Sequence, residues 1–102
     1  MDVAPYIKAG RTYVPMRYLG EILGAEAVWD DTARTATLTR GDDVVVFTIG
    51  SAIYTQNGES KTAEVAPEIN NGRTMLPARY VAEAFGAQVG WDAGTQTVLI
   101  QK

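Results

Sequence analysis

The chain's 102 residues are 46% hydrophobic and 21% charged, which suits one ordinary domain with enough apolar material for a core. It contains no histidine and no cysteine, which excludes imidazole general bases, thiolate nucleophiles, His or Cys metal ligands, haem attachment and disulfides. Nine basic against twelve acidic residues give a net charge of −3 with the Lys and Arg scattered, so nucleic acid is not an expected partner. No apolar stretch approaches the ~20 residues that cross a bilayer, so membrane insertion is not expected.

An internal repeat organises the chain. Slid by 62 positions, residues 3–39 lie over residues 65–101 without a gap, and 16 of the 37 aligned positions are identical. The identities include Gly10/Gly72, Arg11/Arg73, Pro15/Pro77, Arg17/Arg79, Glu21/Glu83, Gly24/Gly86, Trp29/Trp91 and Asp30/Asp92. Two copies of one supersecondary unit imply that neither buries its apolar face alone. The expected organisation is a single domain over 1–102: repeat one at 1–40, a connecting β segment at 41–62 and repeat two at 63–102.

Taken in chain order, the first residues, Met1 to Pro5, lack the basic start and hydrophobic block of a signal peptide. Ala9-Gly10 sits between short extended runs and predicts a tight hairpin, as Asn71-Gly72 does in the second copy. Pro15 and Pro77 suit the first position of a helix, and Gly24 and Gly86 suit the left-handed position just past its end, which brackets a helix of about nine residues in each copy. The helix over 15–23 carries Met16, Leu19, Ile22 and Leu23 on one stripe; its counterpart carries Ala78, Val81, Ala82, Ala84 and Phe85.

Beyond each helix the period changes to two. Ala27 and Trp29, or Val89 and Trp91, share a face, a polar turn follows at 30–34 or 92–96, and a second strand points Ala36 and Leu38, or Val98 and Ile100, inward. In the connecting segment Val44 to Ile49 reads as a strand, Gly50-Ser51 as a break, Ala52 to Gln56 as a further strand, and Asn57-Gly58 as a hairpin before a strand from Glu59 to Val65. The fold class is therefore α+β: a pseudo-twofold repeat of a short β-hairpin, a short α-helix and antiparallel strands, with two helices packed on twisted antiparallel sheet.

With hydrophobic positions written h, the string Gly-Arg-Thr-x-h-Pro-x-Arg-Tyr-h-x-Glu-x-h-Gly-Ala-x-x-x-Trp-Asp stands at 10–30 and again at 72–92. It resembles the copper amine oxidase N-terminal domain-like family, also called stalk domains. The resemblance implies an extracellular, non-catalytic module of Gram-positive bacteria, appended to hydrolases, surface-layer proteins and other wall-associated proteins. It implies no copper chemistry, because oxidase copper is held by histidines in a different domain. Met1, Met16 and Met75 are too few and too core-like for a copper site, and no cofactor is expected, nor a quinone from Tyr6, Tyr13, Tyr18, Tyr54 or Tyr80.

Each candidate residue has a functional and a structural reading. Arg17/Glu21 and Arg79/Glu83, spaced i,i+4, are either ligand clamps or ion pairs that orient each helix, and the structural reading leads, with a partly buried pair. Arg11 and Arg73, after the hairpin glycines, either cap carbonyls of the adjoining turn or are displayed at its tip, and the structural reading leads. Trp29 and Trp91, each followed by an Asp, would stack on a sugar ring or close the core beneath the helix; core is favoured, with Asp30 and Asp92 bonding the next turn. Asp31, Asp42 and Asp43 are read as solvated turn residues, since no Asp-x-Asp-x-Asp-Gly loop is present. Ser51 and Ser60 have no histidine partner for a catalytic triad.

No catalytic or metal-binding residue is expected. The leading reading is a spacer or protein-interaction domain whose partners are neighbouring domains of a larger secreted or wall-associated protein. The alternative is a carbohydrate or cell-wall-polymer binding module that uses exposed aromatics, Tyr13 and Tyr54 or the tryptophans Trp29 and Trp91. Self-association through a strand edge, Thr97 to Ile100, is a further expectation.

Overall fold

The computed structural model describes residues 5–8, 10–92 and 97–101, the strands at 88–92 and 97–101 by their backbone alone. Hairpin chemistry starts each half. Strands β1 (Tyr6–Lys8) and β2 (Arg11–Pro15) pair antiparallel with Lys8 opposite Arg11, and β8 (Glu68–Asn70) and β9 (Arg73–Pro77) pair with Asn70 opposite Arg73. At the second turn Asn71 and Gly72 have φ of 51° and 76°, the two left-handed positions a type I′ hairpin demands and Asn-Gly tolerates best. The hairpins join through β2 and β9 into one sheet of order β1-β2-β9-β8. In that central pairing Tyr13 faces Pro77, Val14 faces Leu76 and Pro15 faces Met75, so its midpoint is a pair of residues 62 apart in sequence.

The prolines act one residue earlier than expected. Pro15 (φ −55°, ψ 136°) ends β2 and is the N-cap of α1 (Met16–Leu23); Pro77 (φ −68°, ψ 103°) does the same for α2 (Ala78–Ala84). A fixed φ near −65° fits strand and helix alike, and pairing across β2 and β9 holds ψ extended. The helix ends match the expectation. Gly24 (φ 71°) donates to Glu21 O and Ala25 to Gly20 O; Gly86 (φ 75°) donates to Glu83 O and Ala87 to Ala82 O. Both helices thus close in a Schellman motif at positions 62 apart.

The apolar stripes turn inward: Met16, Leu19, Gly20 and Leu23 are buried on α1, with Ile22 only half-buried, and Ala78, Val81, Ala82 and Ala84 are buried on α2, followed by buried Phe85. A five-stranded antiparallel meander covers them, formed by β3 (Glu26–Asp30), β4 (Thr35–Arg40), β5 (Asp43–Thr48), β6 (Ile53–Gln56) and β7 (Glu59–Thr62). Alternation buries Ala36 and Leu38 on β4, Val45 and Phe47 on β5, and Tyr54 on β6. The last strand stops at Thr62 rather than Val65, because Glu64 takes a left-handed φ of 69° that leaves the ladder. Strands β10 (Gln88–Asp92) and β11 (Thr97–Gln101) form a separate two-stranded sheet. The readings made for the side chains of Val89, Trp91, Asp92, Val98 and Ile100, and for the turn at 93–96, lie outside the described residues.

The architecture is α+β, two helices against antiparallel sheets. One buried cluster runs through Val14, Leu19, Leu38, Phe47, Leu76 and Val81, so both halves and the connecting segment supply the same core. On the other face of the four-stranded sheet, Tyr13 and Met75 are buried outside that cluster, near the buried Pro15, Pro67 and Pro77. The 63–67 segment crosses there, and Ala66 O accepts the Tyr13 hydroxyl at 2.7 Å.

One residue ties the halves together from a position sequence reading did not single out. Arg40, the last residue of β4, donates from Nη1 to Leu23 O at 3.0 Å and from Nη2 to Phe85 O at 2.6 Å. The two carbonyls end α1 and α2 and are 62 residues apart, and the guanidinium lies 5.1 Å from the centre of the Phe85 ring. A fork of donors suits two carbonyls presented side by side, and a cation suits the negative end of both helix dipoles.

Candidate functional site

The four aromatics named for ligand binding separate. Tyr13 is 3% exposed and its hydroxyl is held by Ala66 O. Tyr54 is 8% exposed, stacked on Phe47 at 4.8 Å and tilted against Tyr80 at 6.2 Å. Neither offers an open ring face, which corrects the expectation that they are exposed. Tyrosine fits either face of a strand, and only the cover, the 63–67 segment over Tyr13 and α2 over Tyr54, shows which face is inside. Trp29 is half-buried at the margin of the core, with the Arg34 guanidinium 5.7 Å from its ring centre. Arg34 reaches that place from a left-handed φ of 59° and lies 3.8 Å from Asp31 Oδ1. The turn is closed as anticipated: Asp30 Oδ1 accepts the Thr32 and Ala33 amides at 3.0 and 3.1 Å. The side chains of Trp91 and Asp92 lie outside the described residues.

Trp29 opens onto a groove of about 960 Å³ between α1, the turn after β3 and the β8–β9 hairpin. Its walls include Arg17, Tyr18 and Glu21 of α1 and Ile69 and Arg73 of the hairpin. The sequence motif therefore gathers here from both copies: helix residues of the first meet hairpin residues of the second. Pro15 and Gly72 also line it.

The duplicated ion pairs are not equivalent. Arg79 Nε lies 3.4 Å from Glu83 Oε2 with both side chains more than half exposed, whereas among the described residues Arg17 and Glu21 form no ion pair with each other. The expected partly buried, orienting pair is thus corrected to an outward pair on α2 and two separate groove residues on α1. The cause is the helical period: with 78, 81 and 82 taken by the core, 79 and 83 are left to solvent. An exposed i,i+4 pair contributes only about 0.3–0.5 kcal/mol.

Among the described residues Arg11 caps no turn carbonyl and pairs with a carboxylate instead. Its Nη2 meets Glu64 Oε2 at 2.5 Å, and Glu64 first, then Tyr80, favour its charged form; its Nε is buried without a partner. Glu64 owes this position to the left-handed turn that ends the connecting segment.

A second polar cluster escaped sequence reading. The Tyr6 hydroxyl donates to Glu68 Oε2, Lys8 Nζ donates to Glu68 Oε1 at 2.6 Å, and the Tyr6 ring stacks on Tyr13 at 5.6 Å. Tyr6 and Glu68 are aligned positions at which the two copies differ, so a search for identities passes over them. Burial, reinforced by the bond to Glu68, pushes the Tyr6 hydroxyl up from 10.0 to about 12, while Lys8 and then Tyr6 hold the Glu68 carboxyl below its ordinary 4.5. The folded chain holds the Tyr6 proton more tightly, so that stabilisation is complete below pH 10 and is lost as pH rises to about 12. It holds the Glu68 proton less tightly, so that contribution is present above pH 4.5 and is lost as pH falls through the lowered value. Chemical denaturation midpoints followed from pH 3 to 12 are expected to fall at both ends. Tyr6→Phe is expected to shrink both limbs, the alkaline one leaving a remainder from buried Tyr13 and Tyr54, whose hydroxyls burial also raises. Identical limbs in Tyr6→Phe and the parent chain would discount the cluster.

Among the described residues no group of three or more carboxylates is placed to hold a metal ion, and no helix is long and apolar enough to cross a membrane. Each copy contributes a hairpin, a proline-capped helix and a Trp-Asp strand end, the elements of the repeated motif, and the family model described as Copper amine oxidase N-terminal domain matches residues 1–100. The chain belongs to the copper amine oxidase N-terminal domain family. In the amine oxidase this domain is not the catalytic one. A curated relative, named "Protease inhibitor", from Brevibacillus choshinensis, is 28% identical over 86 residues, which is 84% of this chain and 26% of that protein. This copper amine oxidase N-terminal domain thus spans about a quarter of the length of the relative it matches.

Proposed function

We propose that this chain is a non-catalytic accessory domain of a secreted or cell-wall-associated bacterial protein, acting outside the cell to position neighbouring domains and to bind protein partners. The observation that carries the reading is how its polar groups are used. Arg40, Arg11, Tyr6, Tyr13, Glu68 and Asp30 are each engaged in holding helix ends, turns or strands together. Both helices, the four- and five-stranded sheets and the connecting segment are tied together by these contacts and the shared core, the property a spacer needs. The relative named as a protease inhibitor supports a role in contact with another protein, and the partial coverage of that relative supports a place within a longer chain.

A specific observation favours a second reading. Trp29 and Tyr18 flank an open groove together with Arg17, Glu21 and Asp31, a set that could stack on a sugar ring and bond its hydroxyls. Co-sedimentation with isolated Gram-positive cell-wall sacculi, at low and moderate salt with Trp fluorescence recorded, separates the two. The accessory protein-binding reading predicts no saturable pelleting. Salt-tolerant pelleting with a fluorescence change that Trp29→Ala abolishes would replace it with wall-polymer binding in the groove.

A further inference from the structure

The chain has two Asn-Gly turns with nearly the same backbone. Asn57 and Gly58 join β6 to β7 with φ of 53° and 84°, and Asn71 and Gly72 join β8 to β9 with φ of 51° and 76°. All four residues are exposed. Apart from chain neighbours, nothing lies within 4 Å of the place a Cβ would take at Gly58 or at Gly72, so both glycine amides are open to approach. The asparagine side chains differ. Asn57 Oδ1 accepts the Val44 amide at 2.7 Å, Asn57 Nδ2 donates to Asp43 Oδ1 at 3.2 Å, and the Asn57 backbone amide donates to Val44 O at 2.8 Å. Both ends of that side-chain amide are thus held by the first residues of β5. Among the described residues the Asn71 side-chain amide has no hydrogen-bond partner. At the position aligned with Asn71 the first copy carries Ala9, which has no amide to react.

We propose that Asn71 is a site of spontaneous deamidation in the folded chain, and that β5 protects Asn57 from the same chemistry. Gly72 N, after losing its proton to hydroxide, attacks Asn71 Cγ, a path that no Cβ obstructs at glycine. The new C–N bond closes a five-membered succinimide while the Cγ–Nδ2 bond breaks and ammonia leaves with a proton from water. One water then adds to either ring carbonyl, and the ring opens to an aspartyl or an isoaspartyl residue. The net reaction consumes one water and releases one ammonia, with no change of oxidation state. The attack needs Cγ to turn toward the following nitrogen. At Asn71 nothing opposes that turn; at Asn57 it breaks two side-chain hydrogen bonds, each worth a factor of roughly 2–12.

The products alter the groove. Ile69, Gly72, Arg73 and Thr74 of the β8–β9 hairpin line it, so a carboxylate replaces a neutral amide one residue before its wall. The isoaspartyl form also adds a methylene to the main chain of a two-residue loop that keeps Asn70 opposite Arg73. The hairpin wall of the groove therefore changes with the age of the protein, gaining one negative charge and a longer turn. This holds whether the groove meets a protein, a polysaccharide or solvent, so the site stands apart from the proposed function.

The test is incubation of the folded chain at neutral to mildly alkaline pH in heavy-oxygen water, with peptide mapping by mass spectrometry over time and urea-unfolded chain treated alike. In the folded chain Asn71 is expected to convert about 5- to 150-fold faster than Asn57, the product of two hydrogen-bond factors. Its products are expected to be aspartyl and isoaspartyl, each with one solvent oxygen. In urea the two sites are expected to convert at similar rates. Asp43→Ala, which removes one of the two bonds on Asn57, is expected to speed Asn57 about 2- to 12-fold and to leave Asn71 unchanged. Equal rates in the folded chain, a preference for Asn71 that is as large in urea, or products without isoaspartyl would each overturn the proposal. An Asn57 rate unmoved by Asp43→Ala would overturn protection by β5, and unshifted amide signals at 69–74 in the isoaspartyl form would overturn the effect on the groove.

Discussion

Arg40→Met is expected to cost about 2–4 kcal/mol, the largest effect of any charged residue in the chain, because it removes two charge-assisted hydrogen bonds and leaves two helix-terminal carbonyls to find water. The methionine keeps the stem that packs toward Phe85, so the loss reports the guanidinium rather than a cavity. For a domain of this size, with about 5–15 kcal/mol in total, that is a large fraction, and 1 kcal/mol corresponds to roughly 4–8 °C in Tm. The check is a urea titration beside Arg79→Met. That outward arginine has Glu83 as its one partner among the described residues and is expected to change stability by less than about 1 kcal/mol. Equal effects at the two positions would mean that Arg40 does not link the helices.

Phe47→Ala is the second large effect, expected at about 3–5 kcal/mol as for deletion of a fully buried aromatic. Phe47 is 1% exposed, stacks on Tyr54 at 4.8 Å and belongs to the cluster that also contains Leu19 of α1 and Val81 of α2. It stands in the connecting segment, outside both copies of the repeat. A cost of this size shows that the segment is a wall of the core and not a tether between two folded beads. Ile53→Ala, on the next strand with a side chain 56% exposed, serves as the comparison and is expected to stay within about 0.5 kcal/mol. A Phe47→Ala protein as stable as the Ile53→Ala one would place the core elsewhere.

Much of this architecture is legible from the chain alone because its turns are chemically explicit. Asn71-Gly72 and Asn57-Gly58 occupy paired left-handed positions, and Gly24 and Gly86 close their helices, since those conformations exclude most other residues at low cost. The inward residues Ala36, Leu38, Val81 and Ala82 follow from periodicity. What periodicity cannot supply is partnership at a distance. Tyr13 and Tyr54 alternate as they should, yet whether a strand face is covered depends on segments 50 or more residues away for Tyr13 and about 26 residues away for Tyr54. Arg40 reads as a charged strand end, and only the meeting of the two helix termini gives it a role. The groove has the same origin: Trp29 and Arg17 come from one copy and Ile69 and Arg73 from the other, so no local motif contains it. Tyr6 and Glu68 are illegible for the opposite reason: they occupy aligned positions at which the copies diverge, so the repeat carries no signal of their contact.

A spacer can position its neighbours only if both copies and the segment between them resist as one body. The direct measurement is equilibrium urea unfolding of the chain followed at once by Trp fluorescence, far-ultraviolet circular dichroism and amide exchange resolved across both halves. One transition with coincident midpoints for all probes, shifted as a whole to lower urea by Arg40→Met, is the predicted result. Two transitions, or exchange that opens residues 63–92 while 10–40 stay protected, would contradict it and would describe two separately folding repeats instead.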